Sequence, residues 1–227
     1  MTSSYDGAIV AVNKPPGVSS FGVVKKIRYA SGIKRVGHAG TLDPFAEGVL
    51  VVGIGRTATR QLGEVCNQEK EYLADVWLGV LTDTGDPTGQ IIAGAPVPDL
   101  TAGDYERVFQ GFIGNIEQIP PIYSAVKVGG QRLYKLARKG IEVVRAPRPV
   151  QVFDIKLTKI IEFGFQMHVT CSKGAYIRVL AEDIGRGLGT VAHLKRLIRT
   201  RIGKFNLVES EDLTGFCAKL QEGRSAS

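Results

Sequence analysis

The stretch Gly37–Leu50 reads GHAGTLDPFAEGVL and decides how the rest of the chain is interpreted. It places one carboxylate, that of Asp43, after two glycines and a histidine and before a proline that stiffens the turn. Glycines let a backbone approach a ligand closely, and loops on a rigid scaffold often carry functional side chains. The stretch therefore predicts a loop that exposes Asp43 in a cleft, although Asp-Pro pairs and glycine-rich loops are also common as ordinary turns.

The composition is that of a globular protein. The 227 residues, 44% hydrophobic and 22% charged, are enough to build one large domain or two small ones. No apolar run approaches the roughly 20 residues of a membrane helix, and the N-terminus shows no secretory signal. Cys66, Cys171 and Cys217 are odd in number and far apart. We therefore expect a reducing cytoplasm rather than a disulfide framework or a structural zinc site.

The net charge of +7 is unevenly distributed along the chain. Residues 1–124 contain 10 Lys and Arg against 13 Asp and Glu, whereas residues 125–227 contain 19 against 9. The segments 125–156 and 173–204 each hold eight basic and two acidic residues. A basic half suits a polyanionic partner such as RNA, because each neutralised phosphate releases counterions. A basic surface that serves only solubility accounts for the charge equally well.

The hydrophobic pattern mixes strands and helices without a regular βαβ alternation. It predicts strands at 7–12, 49–52, 69–79, 150–161 and 165–171. It predicts helices at 20–30, 57–65, 102–111 and 175–188, a helical continuation at 193–198 and a frayed end at 221–227. Within the third strand, Tyr72, Ala74, Val76 and Leu78 share one face. These elements favour an α+β domain with a mixed or antiparallel sheet.

Five separate segments together resemble the TruB family of tRNA pseudouridine synthases. The Asp43 stretch is similar to that family's active-site motif. The other four are 13–20 (NKPPGVSS), 69–72 (EKEY), 81–86 (LTDTGD) and 171–178 (CSKGAYIR). They follow in the family's order, and the resemblance covers residues 5–215. It implies a pseudouridine synthase catalytic domain over residues 1–215, with a largely antiparallel mixed central sheet and a C-terminal tail at 216–227.

The resemblance also implies roles for individual residues. Asp43, Tyr72 and Arg178 would be catalytic: the first acts on the nucleotide, the second stacks on the flipped base, and the third keeps the carboxylate ionised. A sequestered carboxylate without a nearby cation would take up a proton. Residues expected to contact the substrate are His38, Gly40, Thr41, Lys14, Arg60, Asp86, Lys127, Arg132 and Leu197. For Tyr72, His38 and Leu197, an ordinary packing role stays open.

The activity that the resemblance implies is conversion of uridine 55 in the T-loop of tRNA to pseudouridine. The N1–C1′ bond breaks, the base turns, and C1′ joins C5, on a nucleotide extruded from the RNA fold. Asp43 would attack C1′ or base C6, or abstract a ribose proton, and the sequence leaves these routes open. The basic segment 120–150, with Lys135, Arg138 and Lys139, would clamp the RNA. We expect a monomer with no cofactor, metal, membrane or obligatory protein partner.

Three other readings are weighed against this one. The first is an RNA-binding or tRNA-folding module in which catalysis is secondary. The second is the guide-RNA-dependent relative of archaea and eukaryotes, which leans on partner proteins and a PUA domain. We expect no PUA domain here, because the sequence ends at Ser227, shortly after Leu213. The third is a glycoside hydrolase that uses Asp43 with Glu47, a pair that nothing holds at the separation such chemistry needs.

Overall fold

The computed structural model describes residues 5–124, 126–133, 136, 141 and 143–225, with the backbone alone at Lys127, Val128, Arg132 and Ser225. The described elements, in chain order, are β1 (Ile9–Lys14), α1 (Ser20–Ser31), β2 (Val36–Ala39), β3 (Glu47–Ile54), α2 (Gly55–Asn67), β4 (Lys70–Leu78), β5 (Val80–Thr82), β6 (Ile91–Gly94), α3 (Ala102–Gln110), β7 (Gly114–Gln118), β8 (Lys127–Val128), β9 (Gln131–Arg132), β10 (Arg148–Ile161), β11 (Gly164–Cys171), α4 (Ile177–Gly187), β12 (Ala192–Ile202), β13 (Phe205–Asn206), β14 (Glu211–Asp212) and α5 (Leu213–Ser225). Two compact units divide the chain: unit 1 holds residues 1–73 and 197–227, and unit 2 holds residues 74–196.

The sheet of unit 1 is mixed and centres on β3. Antiparallel to it run β1, from Ile9 opposite Gly53 to Lys14 opposite Gly48, and β2. Parallel to it runs the end of β12, and β14 pairs in parallel with β1. Because β3 is bordered on both edges, seven of its eight residues are buried, as its continuous apolar sequence requires.

Helix α1 forms a second layer of unit 1, packed against the sheet. The Ser19 side chain accepts a hydrogen bond from the Gly22 N–H at 3.0 Å, which caps the helix start. Gly32 ends the helix with a left-handed φ of 72°. The buried face of α1 meets Phe216 and Leu220 of α5 in one hydrophobic cluster. The predicted helix at 20–30 is therefore confirmed.

Unit 2 is built on an antiparallel hairpin of β10 and β11, with β7 on the outer side of β10. The hairpin turns at residues 162–163, one residue before the break that the sequence predicts at Phe163–Gly164. Helix α3 covers this sheet through Tyr105 and Phe109, whose rings lie 5.1 and 5.5 Å from the ring of Phe165. Mixed pairing with helices packed on the strands confirms the predicted α+β class.

Two local predictions are wrong. Residues 193–198 lie in strand β12 and not in a helix. Leu194 and Leu197 have helical spacing, but pairing with β3 at Ile198 and Arg199 overrides that local signal. The predicted frayed end is helical as far as Ser225, because Phe216 and Leu220 are buried at 1% exposure and anchor α5.

Within the described part of the chain, no helix is both long and apolar enough to cross a membrane.

Candidate active site

Asp43 lies in unit 1, half-buried in the loop that joins β2 to β3. Five successive backbone carbonyls of this loop, from Gly40 to Pro44, each accept a hydrogen bond. That of Asp43 itself accepts from the Ala46 N–H at 3.1 Å, and that of Pro44 accepts from the Gly17 N–H at 2.7 Å. A loop whose carbonyls all have donors has few alternative conformations, so the Asp43 side chain is presented from a fixed backbone.

Arg199 holds the first half of the loop. Its guanidinium lies on β12 and is 1% exposed. It donates to the carbonyls of Gly40 at 3.1 Å, Thr41 at 3.3 Å and Val49 at 2.8 Å. Among the described residues its hydrogen bonds go to backbone carbonyls alone. This buried charge therefore ties the start of the loop to the start of β3.

Ser20 and Lys14 hold the second half of the loop. The Ser20 hydroxyl donates to the Leu42 carbonyl and accepts from the Leu42 N–H, both at 2.9 Å. The Lys14 ammonium, fully buried, donates to the carbonyls of Val18 at 2.7 Å and Pro44 at 3.3 Å. Burial lowers the pKa of Lys14 to about 8; the charge of Arg199 acts in the same direction, and Asp43 opposes it. The lysine thus works as a cationic brace behind the loop, close enough to Asp43 to interact with it electrostatically.

Gly48 explains why the motif needs a glycine after the aspartate. It pairs with Arg199 across β3 and β12 and has a φ of +108°. A Cβ at this position would lie 2.3 Å from the Arg199 carbonyl oxygen. Only glycine allows the two backbones to approach this closely, so the motif and the strand that carries Arg199 are matched to one another.

His38 precedes the loop on β2 and is half-buried. Its Nδ1 atom is buried and, within the part of the chain that the structure describes, has no hydrogen-bond partner. Burial, and then the charge of Arg199, lower the pKa of His38, which favours a neutral imidazole at pH 7. A contact between His38 and the RNA stays a prediction.

The remaining predicted residues of unit 1 differ in exposure. Tyr72 is 6% exposed on the buried face of β4, as the alternation predicts. Leu197 is 5% exposed and lies on a strand, so an ordinary packing role stays open for this residue, in a strand and not in a helix. Thr41 and Arg60 are exposed, and Gly40 adopts a φ of +73°. Substrate roles for these five residues stay predictions.

Unit 2 holds Arg178 and Asp86. Arg178, 3% exposed in the first turn of α4, donates to the carbonyls of Thr84 at 2.8 Å and Tyr123 at 3.0 Å. Its Nη1 lies 3.8 Å from Oδ2 of Asp86. The other carboxylate oxygen of Asp86 accepts from the Thr84 hydroxyl and the Thr88 N–H, each at 2.9 Å. Asp86 therefore shapes the turn that holds Arg178, while a direct contact of either residue with RNA stays a prediction.

The predicted RNA clamp is described only in part. The backbones of Lys127 and Arg132 pair with each other across the short hairpin of β8 and β9. Their side chains, and the residues Lys135, Arg138 and Lys139, lie outside what the structure describes.

Sequence reasoning missed Arg199 and Ser20. Arg199 is one of the eight basic residues of 173–204, a segment whose charge fits either an RNA-binding surface or a basic surface that serves only solubility. Its one local signal is the alternation of the strand, in which Arg199 shares a face with Leu197, and both are buried. Arg201 binds the carboxylates of Glu69 and Glu71 at 2.5 and 2.6 Å, whereas Arg199 points into the core.

Comparisons with known proteins identify the family of this chain. Residues 28–177 match the family described as TruB family pseudouridylate synthase, N terminal domain. A protein of Symbiobacterium thermophilum named tRNA pseudouridine synthase B is 46% identical over 222 residues, which are 95% of this chain and 73% of the relative. A protein of the same name from Desulfotalea psychrophila is 46% identical over 91% of this chain and 86% of its own length.

Solved structures give the same fold. A crystal structure of a Cbf5-Nop10-Gar1 complex contains a chain that is 30% identical to this one, with a TM-score of 0.69. The match covers 89% of this chain and 50% of the other. A structure of an H/ACA RNP bound to a substrate RNA containing 2′-deoxyuridine matches at 25% identity and a TM-score of 0.71, over 96% of this chain and 55% of the other. The chain thus spans about half the length of these solved chains. The curated relatives are named as pseudouridine synthases, which are isomerases, and the family match, these relatives and the fold all agree. The chain therefore belongs to the TruB family of pseudouridylate synthases and is an enzyme of the isomerase class.

Proposed function

We propose that this protein converts uridine 55 in the T-loop of tRNA to pseudouridine, with Asp43 as the catalytic carboxylate. The observation that carries the proposal is the backbone of the Asp43 loop, in which five successive carbonyls are held by donors. Such a scaffold fixes one side chain relative to a bound nucleotide, which positional catalysis requires. Curated relatives at 44–46% identity are named tRNA pseudouridine synthase B, which supports tRNA as the substrate.

The reaction is an isomerisation, so the atoms of the nucleoside are rearranged and none is added. The bond between N1 and C1′ breaks and a bond between C5 and C1′ forms. C5 loses its proton to solvent, and N1 gains one. Asp43 would act at C1′, at C6 or at a ribose proton, and each route needs the carboxylate in its ionised form. The nucleotide must first leave the folded T-loop, which costs a few kcal/mol.

The predicted partners of Asp43 in this reaction are Tyr72, against the flipped base, and Arg178, as a counter-charge. Both are at most 6% exposed, so each side chain has a restricted set of rotamers. tRNA is the proposed partner, and the resemblance implies action without a second protein.

The experiment compares Asp43→Asn with wild type, using tRNA that carries tritium at uridine C5. Asparagine keeps the shape of the side chain but removes the carboxylate. We expect tritium release and pseudouridine formation with wild type, and neither with the variant, while both proteins bind tRNA with similar affinity. Pseudouridine mapped at position 55 would identify the T-loop, and a different position would refute that part of the proposal.

Glu47→Gln is the matched control. Glu47 is also half-buried and starts β3, four residues after Asp43. A hydrolase that uses both carboxylates would lose its activity in either variant, whereas the proposed synthase loses it with Asp43 alone. Tritium release by Asp43→Asn at the wild-type rate would remove this carboxylate from the mechanism.

A further inference from the structure

One segment near the N-terminus is strongly basic, although the charge count of its half of the chain does not show it. Residues 7–42 contain six Lys and Arg and no Asp or Glu. They lie in the half of the sequence in which acidic residues outnumber basic ones, so the whole-chain pattern conceals them. In the folded chain the run forms β1, α1 and β2 of unit 1.

Aromatic side chains are exposed among these cations. Phe21 is 52% and Tyr29 is 79% exposed. With Lys25 they follow one another at intervals of four residues, so all three lie along one face of α1. The Lys25 ammonium lies 5.4 Å from the centre of the Phe21 ring, and the Arg28 guanidinium lies 5.6 Å from it. Aromatic rings and cations thus alternate on an accessible surface.

A cleft of about 410 Å³ opens at the end of this face. It is lined by Lys25, Arg28, Tyr29, Gly32, Ile33 and Lys34. A further cation arrives from α5, where the exposed Arg224 donates to the Tyr29 carbonyl at 3.5 Å. Within the described ranges, Lys25, Arg28 and Lys34 form no ion pair with a carboxylate. The Arg28 guanidinium is partly buried and donates to the Val36 carbonyl at 2.8 Å, so exposed Lys25 and Lys34 are the cations of the cleft most available to a ligand.

We propose that the α1 face, defined here as Phe21, Lys25, Arg28 and Tyr29 of α1 together with Lys34 just beyond the helix end, binds the sugar-phosphate backbone of the RNA substrate away from the reacting uridine. Unpaired cations attract phosphates, and an exposed aromatic ring offers a surface on which a base or ribose can stack. This inference rests on the proposed function, because it assigns the surface to the same RNA.

The position of α1 relative to the Asp43 loop fits this assignment. At its first residue, Ser20, the helix is hydrogen-bonded to Leu42 next to the catalytic aspartate. Each residue of an α-helix adds about 1.5 Å, so Tyr29 lies about 13 Å further along the axis than Ser20. The face therefore starts at the catalytic loop and leads away from it, over a length that spans several phosphates. RNA that extends beyond the target nucleotide would meet it, and a short RNA would not.

The test compares a Lys25→Gln/Lys34→Gln double variant with a Lys159→Gln/Lys219→Gln control, which removes the same charge from exposed lysines elsewhere. Binding of full-length tRNA and of a short oligonucleotide that carries the T-loop without its stem is measured between 50 and 200 mM salt. We expect the first variant to bind tRNA about tenfold more weakly at low salt. The slope of log affinity against log salt should become shallower by about two, one for each lost phosphate contact.

Tyr29 provides an independent variant. Tyr29→Ala should weaken tRNA binding about tenfold, because base or ribose stacking is worth about 1–3 kcal/mol. Tyr29→Phe should restore it, since the ring surface is kept. In kinetic assays with tRNA, the loss should appear as a higher KM.

The outcomes separate this inference from the proposed function. If wild type forms no pseudouridine in tRNA, the proposed function fails, whatever the α1 face does. If wild type is active but the α1 variant binds tRNA with the affinity and salt slope of the control, the α1 face is not an RNA surface. An equal loss of affinity for the loop-only oligonucleotide would also overturn the inference, because it would place these residues at the reacting loop. Binding of an acidic protein without any effect on tRNA would assign the face to a different partner and refute the proposal.

Discussion

Replacing Arg199 by methionine tests whether the backbone of the Asp43 loop controls turnover. Methionine retains an unbranched stem that fills much of the same space, but it removes every N–H donor. The carbonyls of Gly40, Thr41 and Val49 then lose their hydrogen bonds, of 3.1, 3.3 and 2.8 Å. The loop keeps its links through Ser20 and Lys14, so its first half alone is released.

The size of the effect follows from the burial of each carbonyl. Val49 is fully buried, and a buried acceptor that loses its donor costs about 1–3 kcal/mol. Gly40 is half-buried and Thr41 is exposed, so water can replace part of those bonds. Removing a buried charge offsets some of the loss. We expect a net loss of about 2–4 kcal/mol, which lowers Tm by roughly 5–15 °C in a chain of this size.

Turnover should fall further than stability alone explains. A displacement of about 1 Å at a catalytic group can cost about 100-fold in rate, so we expect kcat on tRNA to fall by about that factor. RNA affinity should change little, because Arg199 is 1% exposed and cannot reach the substrate. Arg199→Lys should recover part of the rate, since an ammonium can satisfy some but not all three carbonyls.

Arg201→Met is the control for this experiment. Arg201 lies two residues further along the same strand, is 26% exposed and pairs with Glu69 and Glu71. Its loss should cost about 1 kcal/mol or less, with a kcat near that of wild type. Two results would refute the assignment of Arg199 as a positioning residue. One is a Tm and a kcat for Arg199→Met equal to those of Arg201→Met, and the other is a loss of RNA affinity with kcat unchanged.

Three further outcomes are expected. Gly48→Ala should destabilise the protein by about 3 kcal/mol or more in chemical denaturation, because its Cβ would meet the Arg199 carbonyl at 2.3 Å; an unchanged midpoint would contradict this. The pKa of Lys14 falls from 10.5 to about 8 on folding, so between these pH values the unfolded chain binds more protons than the folded chain. The stability of wild type relative to Lys14→Met, measured by chemical denaturation, should therefore rise from about pH 8 to 10.5 and be flat below about pH 7. Asp86→Asn should lower kcat about tenfold without unfolding, because it removes the charge that faces Arg178 at 3.8 Å; wild-type kcat would show that the hydrogen bonds of the turn suffice.

The fold could be predicted wherever the local pattern and the tertiary contacts agree. The alternation of 69–79 correctly places Tyr72 and its neighbours on the buried face of β4, since period-two burial is a local signal. The same reasoning fails at 193–198, because Leu194 and Leu197 happen to have helical spacing while the strand is stabilised by pairing with β3. Strand pairing with β3, about 150 residues away in the sequence, therefore overrides a short local pattern of helical spacing.

The candidate site could be located but not assembled from the sequence. The resemblance identified Asp43, and glycines around it were expected to shape a loop. The residues that hold the loop are Lys14, Ser20 and Arg199, and nothing local connects the third to the other two. Arginine is almost never fully buried, so an arginine in a basic stretch predicts a surface position, facing either RNA or solvent.

The hydrogen bonds that hold the Asp43 loop all reach the backbone, and this determines where sequence variation can be tolerated. A carbonyl accepts a hydrogen bond whichever side chain its residue carries, so exposed Thr41 could change while the loop kept its shape. The donors at positions 14, 20 and 199 offer no such freedom, because each contributes a specific side-chain atom. An engineer who wishes to alter what the loop contacts can therefore change exposed Thr41, whereas Lys14, Ser20 and Arg199 must be kept because they hold the loop backbone.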